Sequence, residues 1–163
     1  MKQARCTAVF ATPLGELWMT ETTEGVSGLY FQGQKHQPEW IEANKNVVSL
    51  WGAEVRRWLD AYFAKTDLPP LPPLHVIEGT AFQRQIWQAL MGIPVGLTCT
   101  YAQIATRLGR PRALRAVGAA VGRNPLSLLI PCHRVIGASG ALTGYAGGLD
   151  RKRWLLDHEA ALC

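Results

Sequence analysis

Cys132, His133 and Arg134 stand together within an otherwise apolar stretch, residues 128–136, and they could carry nucleophilic chemistry. The apolar residues on either side predict a short strand that this polar triplet interrupts. A cysteine without a chemical role usually has only hydrophobic neighbours, whereas positive charge beside a thiol favours the nucleophilic thiolate. Cys132 is therefore a candidate nucleophile. Adjacent strand residues point to opposite faces, so His133 need not touch the thiol, and a structural histidine remains the alternative.

The first third of the chain has the pattern of a small antiparallel sheet followed by a helix. Three short runs at residues 7–10, 16–20 and 26–31 alternate like strands, and turn residues lie between them. Residues 49–65 instead repeat apolar side chains with the period of a helix. The side chains on that predicted helical face are Leu50, Val55, Trp58, Leu59, Tyr62 and Phe63.

A proline-rich segment predicts the boundary between two domains. Residues 68–74 read Leu-Pro-Pro-Leu-Pro-Pro-Leu, which can form neither a helix nor a central strand, so we predict a stiff linker. We expect a supporting domain over residues 1–78 and a second domain, which contains the candidate nucleophile, over residues 79–163. The predicted fold class is mixed α+β, with a small N-terminal antiparallel sheet and helix joined to a mostly helical C-terminal domain that carries the active-site strand.

Beyond the linker the pattern is helical. Thr80 can cap a helix that ends at Pro94 and has Phe82, Ile86, Ala89, Leu90 and Ile93 on one face. Two helices follow over residues 100–108 and 112–122, joined by a tight turn, and a last helix opens near Asp150. The second of the pair is rich in alanine, glycine and arginine. The pair is typical of a helix-turn-helix, although two helices that only pack together give the same pattern.

The charge of the chain is concentrated in its C-terminal half. The formal net charge is +5. Residues 1–79 hold seven Lys/Arg and nine Asp/Glu, whereas residues 80–163 hold ten Lys/Arg and three Asp/Glu. No acidic residue lies between Glu78 and Asp150. This asymmetry favours a polyanionic partner such as DNA, and a basic surface that serves only solubility is the alternative.

Composition excludes several other classes of protein. With 48% hydrophobic and 18% charged residues the chain has the composition of a globular protein, not a disordered one. It has no apolar run long enough to span a bilayer and no visible secretory signal, so we expect a cytoplasmic location and no membrane partner. The four cysteines form no CxxC pair, which favours free thiols. Cys6, His36 and His75 lack the spacing of a ligand set, so we predict no metal and no cofactor.

Four segments of the C-terminal half together closely resemble the methylated-DNA–protein-cysteine methyltransferase family. The resemblance covers about residues 80 to 160, the N-terminal part matches the family's variable domain more loosely, and the overall form is similar to the constitutive bacterial type. The segments are Asn124-Pro125, Ile130-Pro131-Cys132-His133-Arg134-Val135, Gly144-Tyr145-Ala146-Gly147-Gly148 and Arg153-Trp154-Leu155-Leu156-Asp157-His158-Glu159.

The resemblance implies a suicide reaction. Cys132 would take the alkyl group from O6 of guanine, and also from O4 of alkylthymine, in an in-line displacement. A thioether is very stable, so each molecule would act once. The resemblance gives His133 the role of base through a water molecule, Glu159 the role of orienting His133, and Asn124 that of bracing the turn before the active-site strand.

The resemblance also implies how double-stranded DNA is bound. The target atom lies inside the duplex, so the nucleotide must be flipped out. Tyr101 would crowd the phosphate and donate to the flipped base, while Arg115 would fill its place in the stack. The second helix of the pair would enter the minor groove, which the small side chains of Ala116, Gly118 and Ala119 suit. We also assign Arg134 to DNA binding. The resemblance places Val135, Tyr145 and Ala146 in the guanine pocket and makes residues 79–163 the DNA-binding and catalytic domain. The chain would act as a monomer, and cooperative binding along DNA is left open.

Three other functions remain to be weighed. A non-catalytic sensor of alkyl lesions would lack the nucleophile, but Cys132 is present. A helix-turn-helix regulator usually dimerises to read paired half-sites, and nothing in the sequence resembles a dimerisation helix. A cysteine hydrolase would need no basic recognition helix and would turn over many times.

Overall fold

The computed structural model describes residues 5–39 and 48–161, which form two compact units. The first unit ends at Ile77 and the second begins at Glu78. No helix of the described segments is long and apolar enough to cross a membrane.

The first unit contains the predicted antiparallel meander. Its strands are β1 (Arg5–Thr12), β2 (Gly15–Thr22) and β3 (Gly25–Phe31), with β2 in the centre. Trp18 of β2 lies opposite Val9 on one side and opposite Tyr30 on the other, so the three form a row across the sheet. Trp18 and Tyr30 are buried, and Val9 packs against them. The alternation in the sequence therefore predicted this sheet correctly.

The predicted helix of the first unit begins later than its pattern suggested. Helix α1 spans Gly52–Ala64, so Leu50 precedes it and is 61% exposed, which makes its assignment to the apolar face wrong. The physical reason is a non-local cap. The carboxylate of Glu21 accepts hydrogen bonds from the backbone N–H groups of Leu50 and Trp51, at 2.9 and 3.0 Å, and so holds the chain in a non-helical turn there.

The proline-rich segment is more than a spacer, because its end pairs with β3. Val26 donates its backbone N–H to the carbonyl of Pro73 and accepts one from His75, each at 2.8 Å. His75 also contacts the hydroxyl of Thr22 and the carboxylate of Glu24 through its two ring nitrogens. The interpretation of residues 68–74 as a linker only is therefore corrected. Proline lacks an N–H but keeps its carbonyl, and the carbonyl of Pro73 accepts a hydrogen bond from β3.

The second unit contains three helices that agree with the sequence pattern. They are α2 (Ala81–Leu90), α3 (Tyr101–Arg107) and α4 (Leu114–Gly122). Thr80 and Thr100 each cap a helix. Each hydroxyl accepts the backbone N–H of the glutamine three residues later, and the side chain of that glutamine accepts the backbone N–H of the threonine. α4 packs against both α2 and α3. Trp87 of α2 ties it further by donating its indole N–H to the carbonyl of Ala120 at 2.8 Å.

The strand predicted over residues 128–136 is mostly wrong. Only β5 (Val135–Ile136) is a strand, and it pairs in parallel with β4 (Cys99–Thr100). Residues Cys132–Arg134 form a turn of 3₁₀ helix instead. Pro131 before it has φ −80° and ψ 62°, and Cys132 donates its backbone N–H to Ile130 across it at 2.8 Å, which is an inverse γ-turn. The chain then continues to the last helix, α5 (Leu149–Ala160).

Candidate active site

Asn124 holds the turn that presents Cys132. Its side-chain amide donates to the carbonyl of Ile130 at 2.8 Å, and its side-chain oxygen accepts from the backbone N–H of Leu126 at 2.9 Å. The carbonyl of Ile130 also accepts the backbone N–H of Cys132. Leu128 between them is buried at φ 70°, a left-handed conformation that costs a leucine energy and needs such support. One side chain thus fixes both ends of the turn.

A buried carboxylate binds both residues that follow the cysteine. Nε2 of His133 lies 2.9 Å from each carboxylate oxygen of Glu159. Arg134 donates from Nε to the same carboxylate at 2.8 Å and from Nη2 as well. The side chains of His133 and Glu159 are 0% and 1% exposed. Because α5 supplies Glu159, that helix fixes the orientation of the imidazole.

The protonation states of this pair follow from their surroundings. Burial opposes ionisation of Glu159, but hydrogen bonds from His133 and Arg134 outweigh it and lower the pKa of the carboxyl to about 2. Burial lowers the pKa of His133 more than Glu159 raises it, so the imidazole is neutral. Nε2 faces an ionised carboxylate and therefore carries the proton. Nδ1 is left as a buried acceptor with no partner among the described residues, and so it is the atom able to act as a base.

The thiol of Cys132 is protonated at rest, contrary to the expectation of a charge-favoured thiolate. Burial raises the pKa of Cys132, and the hydrogen bond from Asn124 and the charge of Lys152 only partly offset that effect. The positive charge of the neighbouring Arg134 is paired with the carboxylate of Glu159. Removal of the thiol proton therefore requires a base, and the structure makes the neutral His133 available next to it in the chain.

Arg134 does not have the role predicted for it. Its side chain is 8% exposed, and Nη1 donates to the carbonyl of Ile93 at 2.7 Å while Nε and Nη2 bind Glu159. A guanidinium with these buried partners cannot reach a DNA phosphate. The assignment of Arg134 to DNA binding is therefore corrected, and its position supports Glu159 instead.

The first residue of α3 and a lysine of α5 meet at one carbonyl. The hydroxyl of Tyr101 donates to Thr143 O at 3.0 Å, and Nζ of Lys152 donates to the same atom at 3.1 Å. Burial raises the pKa of Tyr101, and the nearby Cys132 raises it further, whereas burial lowers the pKa of Lys152. Both side chains are thus close enough to the thiol for its charge to affect them.

The other predicted site residues lie on α4, on β5 and in the loop before α5. Arg115, Ala116 and Ala119 are exposed on α4, and Gly118 is half-buried beside them. The side chain of Arg115 has no hydrogen bond or ion pair within the described part of the chain. Val135 is buried in β5, and Tyr145 and Ala146 are half-buried in the loop. Over the described segments, no group of three or more potential metal ligands occurs.

Comparison with known proteins decides the family. Residues 81–161 match the model of the 6-O-methylguanine DNA methyltransferase DNA-binding domain. The methylated-DNA–protein-cysteine methyltransferase of Salmonella typhimurium is 63% identical over 161 residues, covering 93% of this chain and 94% of the relative. The chain belongs to this family. The relative of the same name from Methanosarcina acetivorans is 42% identical over 94% of this chain and 97% of its own length.

Solved structures of family members agree with the fold. The Mycobacterium tuberculosis OGT in complex with DNA is 39% identical, with a TM-score of 0.83, and the match covers 98% of this chain and 94% of that one. The mixed α+β fold predicted from the sequence is thereby confirmed. As a member of the methyltransferase family, the chain is an enzyme of DNA repair with a DNA-binding domain.

Lys152 is the residue of this site that our sequence reasoning missed. Its side chain is completely buried and donates to two loop carbonyls, and its positive charge lowers the pKa of Cys132. A signal was present in the sequence, because Lys152, Leu155 and Glu159 share one face of a helix at spacings of three and four residues. A lysine on the buried face of a helix is rare unless it has a polar partner.

The state of His133 predicts the pH dependence of the reaction. Burial lowers the pKa of His133 from its ordinary 6.5, so the imidazole stays neutral and basic below that pH. We expect the rate of alkyl transfer to remain level as the pH falls through 6.5 and to drop only at lower pH. Single-turnover rates with free O6-benzylguanine, measured from pH 8 downwards in small steps, check this. Half-maximal activity at or above pH 6.5 would contradict the assignment of His133 as a neutral buried base.

Proposed function

We propose that the enzyme repairs double-stranded DNA by moving an alkyl group from O6 of guanine to Sγ of Cys132, once per molecule. The observation that carries this proposal is the buried thiol placed directly before a neutral imidazole whose Nε2 is held by Glu159. Such a nucleophile, base and orienting group form the arrangement used for nucleophilic displacement. O4-alkylthymine is proposed as a second substrate, and a cytoplasmic monomer as the active form.

The reaction balances with the groups present. Nδ1 of His133 takes the thiol proton of Cys132 through a water molecule, and the thiolate attacks the alkyl carbon opposite O6. A C–S bond forms, the C–O6 bond breaks, and its electron pair stays on guanine. The hydroxyl of Tyr101 gives its proton to the departing base and regains one when His133 releases the thiol proton, so the net transfer is one proton from the thiol to guanine. The thioether cannot be cleaved by these groups, so the protein is consumed.

We assign recognition of DNA to the exposed face of α4. Arg115 stands there among small residues, and the unit carries no acidic residue between Glu78 and Asp150. The minor groove is only about 6 Å wide, so a helix entering it needs small side chains such as Ala116 and Ala119. Ala120 of the same helix is buried and does not contribute to this surface. Arg115 then fills the gap in the stack while the lesion base enters the pocket formed by Val135, Tyr145 and Ala146.

Intact-mass spectrometry before and after incubation with a duplex containing O6-methylguanine tests the proposed function. We expect each molecule to gain one methyl group in place of a hydrogen atom, and peptide mapping to place it on Cys132. An unchanged mass with retained binding to the lesion would instead make the protein a sensor. An unchanged mass with binding that ignores the lesion would favour a regulator.

Replacing Arg115 with alanine should separate base flipping from chemistry. We expect repair of O6-methylguanine in duplex DNA to slow at least about tenfold, because no side chain then fills the space that the flipped base leaves in the stack. Reaction with free O6-benzylguanine needs no flipping and should change little. Arg107→Ala removes the same charge from an exposed position of α3 and serves as the control for attraction to the DNA phosphates. Equal losses on duplex and free base in Arg115→Ala would contradict the flipping role.

A further inference from the structure

The loop that carries Tyr145 and Ala146 has a glycine hinge at each end. Gly144 has φ 51° and Gly148 has φ 93°, and both lie in the left-handed region that glycine adopts without strain. Between them, the backbone N–H of Gly148 donates to the carbonyl of Tyr145 at 2.9 Å and closes a tight turn. Glycine restricts the backbone least of all residues, so the position of this turn depends on bonds from outside it.

Two successive residues in the first turn of α5 supply such bonds. Lys152 donates from Nζ to the carbonyls of Thr143 and Gly144, at 3.1 and 3.2 Å, and so holds the start of the loop. Arg151 donates from Nη1 to the carbonyl of Gly147 at 2.9 Å and holds its end. α5 also carries Glu159, which orients His133. One rigid helix therefore positions both the base and the loop.

We propose that Arg151 is a positioning residue that presets the loop as the wall of the guanine pocket. Its hydrogen bond to Gly147 orders Tyr145 and Ala146 before the base arrives. Binding of the base therefore does not have to supply the free energy of ordering the loop. The bond touches none of Cys132, His133 and Glu159, and it therefore governs how well the base is held, not how fast it reacts. This inference rests on the proposed function, because it assigns the same pocket.

A different role for Arg151 is contact with a DNA phosphate, since it is basic and only half-buried. Free O6-benzylguanine has no phosphate, so a defect with the free base isolates the effect on the loop. Arg153 provides a matched control, because it lies on the same helix, is exposed, and its side chain makes no hydrogen bond within the described part of the chain. Arg151→Met and Arg153→Met lose the same charge, but only the first loses a bond to the loop.

The experiment measures single-turnover alkylation by intact mass over a range of O6-benzylguanine concentrations. For Arg151→Met we expect the half-saturating concentration to rise about tenfold, the value of one charge-assisted hydrogen bond, with the maximal rate within about twofold of the parent protein. Arg153→Met should match the parent. Arg151→Lys keeps a donor and should restore part of the loss.

Several results would overturn the proposal. Equal half-saturating concentrations for Arg151→Met and Arg153→Met, or a loss confined to the maximal rate, would remove Arg151 from the pocket. Hydrogen exchange of the backbone amides of residues 144–148 gives a second measurement, and we expect it to be faster in Arg151→Met than in Arg153→Met. Failure of the parent protein to gain any mass would instead contradict the proposed function. Failure of the proposed function is therefore distinguishable from failure of the role assigned to Arg151.

Discussion

Alanine in place of Cys132 will abolish alkyl transfer and leave DNA binding intact. The thiol is the only nucleophile that the proposed reaction uses, and the described part of the chain holds one other buried free cysteine, Cys99. The substitution removes a single sulfur atom from a turn whose shape depends on Pro131 and on the hydrogen bonds of Asn124, so the fold should persist. In our proposal DNA binds to the exposed face of α4, which the change does not touch.

The measurement combines intact mass after incubation with O6-methylguanine duplex and a binding titration on the same duplex. We expect no mass gain for Cys132→Ala and an affinity close to that of the parent protein. Cys99→Ala is the matched control, because it also removes a buried thiol, and it should still gain one methyl group. Transfer by purified Cys132→Ala, or its loss in Cys99→Ala alone, would refute the assignment of the nucleophile.

Glutamine in place of Glu159 will slow the reaction and destabilise the protein together. The amide no longer fixes the neutral tautomer of His133, so Nδ1 is not reliably available as a base, and general-base catalysis contributes on the order of 10²-fold or more. The guanidinium of Arg134 also loses its buried counter-charge. Leaving such a charge unpaired costs about 3 kcal/mol or more in the free energy of unfolding.

Urea unfolding and single-turnover rates on the folded protein measure the two effects separately. Asp157→Asn, an exposed change on the same helix, should alter neither. The pKa of Glu159 falls from 4.5 to about 2 on folding, so its stabilisation is complete above pH 4.5 and is lost as the pH decreases towards 2. Glu159→Gln should lack this part of the acid unfolding curve. A folded variant with the parent's rate would disprove the orienting role.

Local signals in the sequence predicted most of the secondary structure. Alternation and turn residues predicted the meander, because strand pairing across tight turns depends on neighbouring residues. Thr80 predicted the start of a helix, because a capping side chain and the backbone N–H that it binds lie only three residues apart. The helical face that contains Val55, Trp58 and Leu59 was likewise visible from its period alone.

The composition of residues 132–134 indicated nucleophilic chemistry, but the tertiary structure decided how it is arranged. The apolar pattern predicted a strand there, whereas a proline turn held by Asn124, eight residues upstream of the cysteine, makes a 3₁₀ turn. The sequence also could not show that Arg134 turns inward, since its partner Glu159 lies 25 residues away. A charged side chain looks the same in sequence whether its partner is water, a phosphate or a buried carboxylate.

The sequence by itself thus determined the order of most elements, the cap of α2 and the candidate nucleophile, because those depend on residues a few positions apart. Only the tertiary structure determined the protonation of the site. Burial raises the pKa of Cys132 and lowers that of His133. This burial results from the packing of α5 against the turn. The same packing brings Lys152 to the loop carbonyls. The free energy of a charged group depends on everything around it, and that surrounding exists only after the chain has folded.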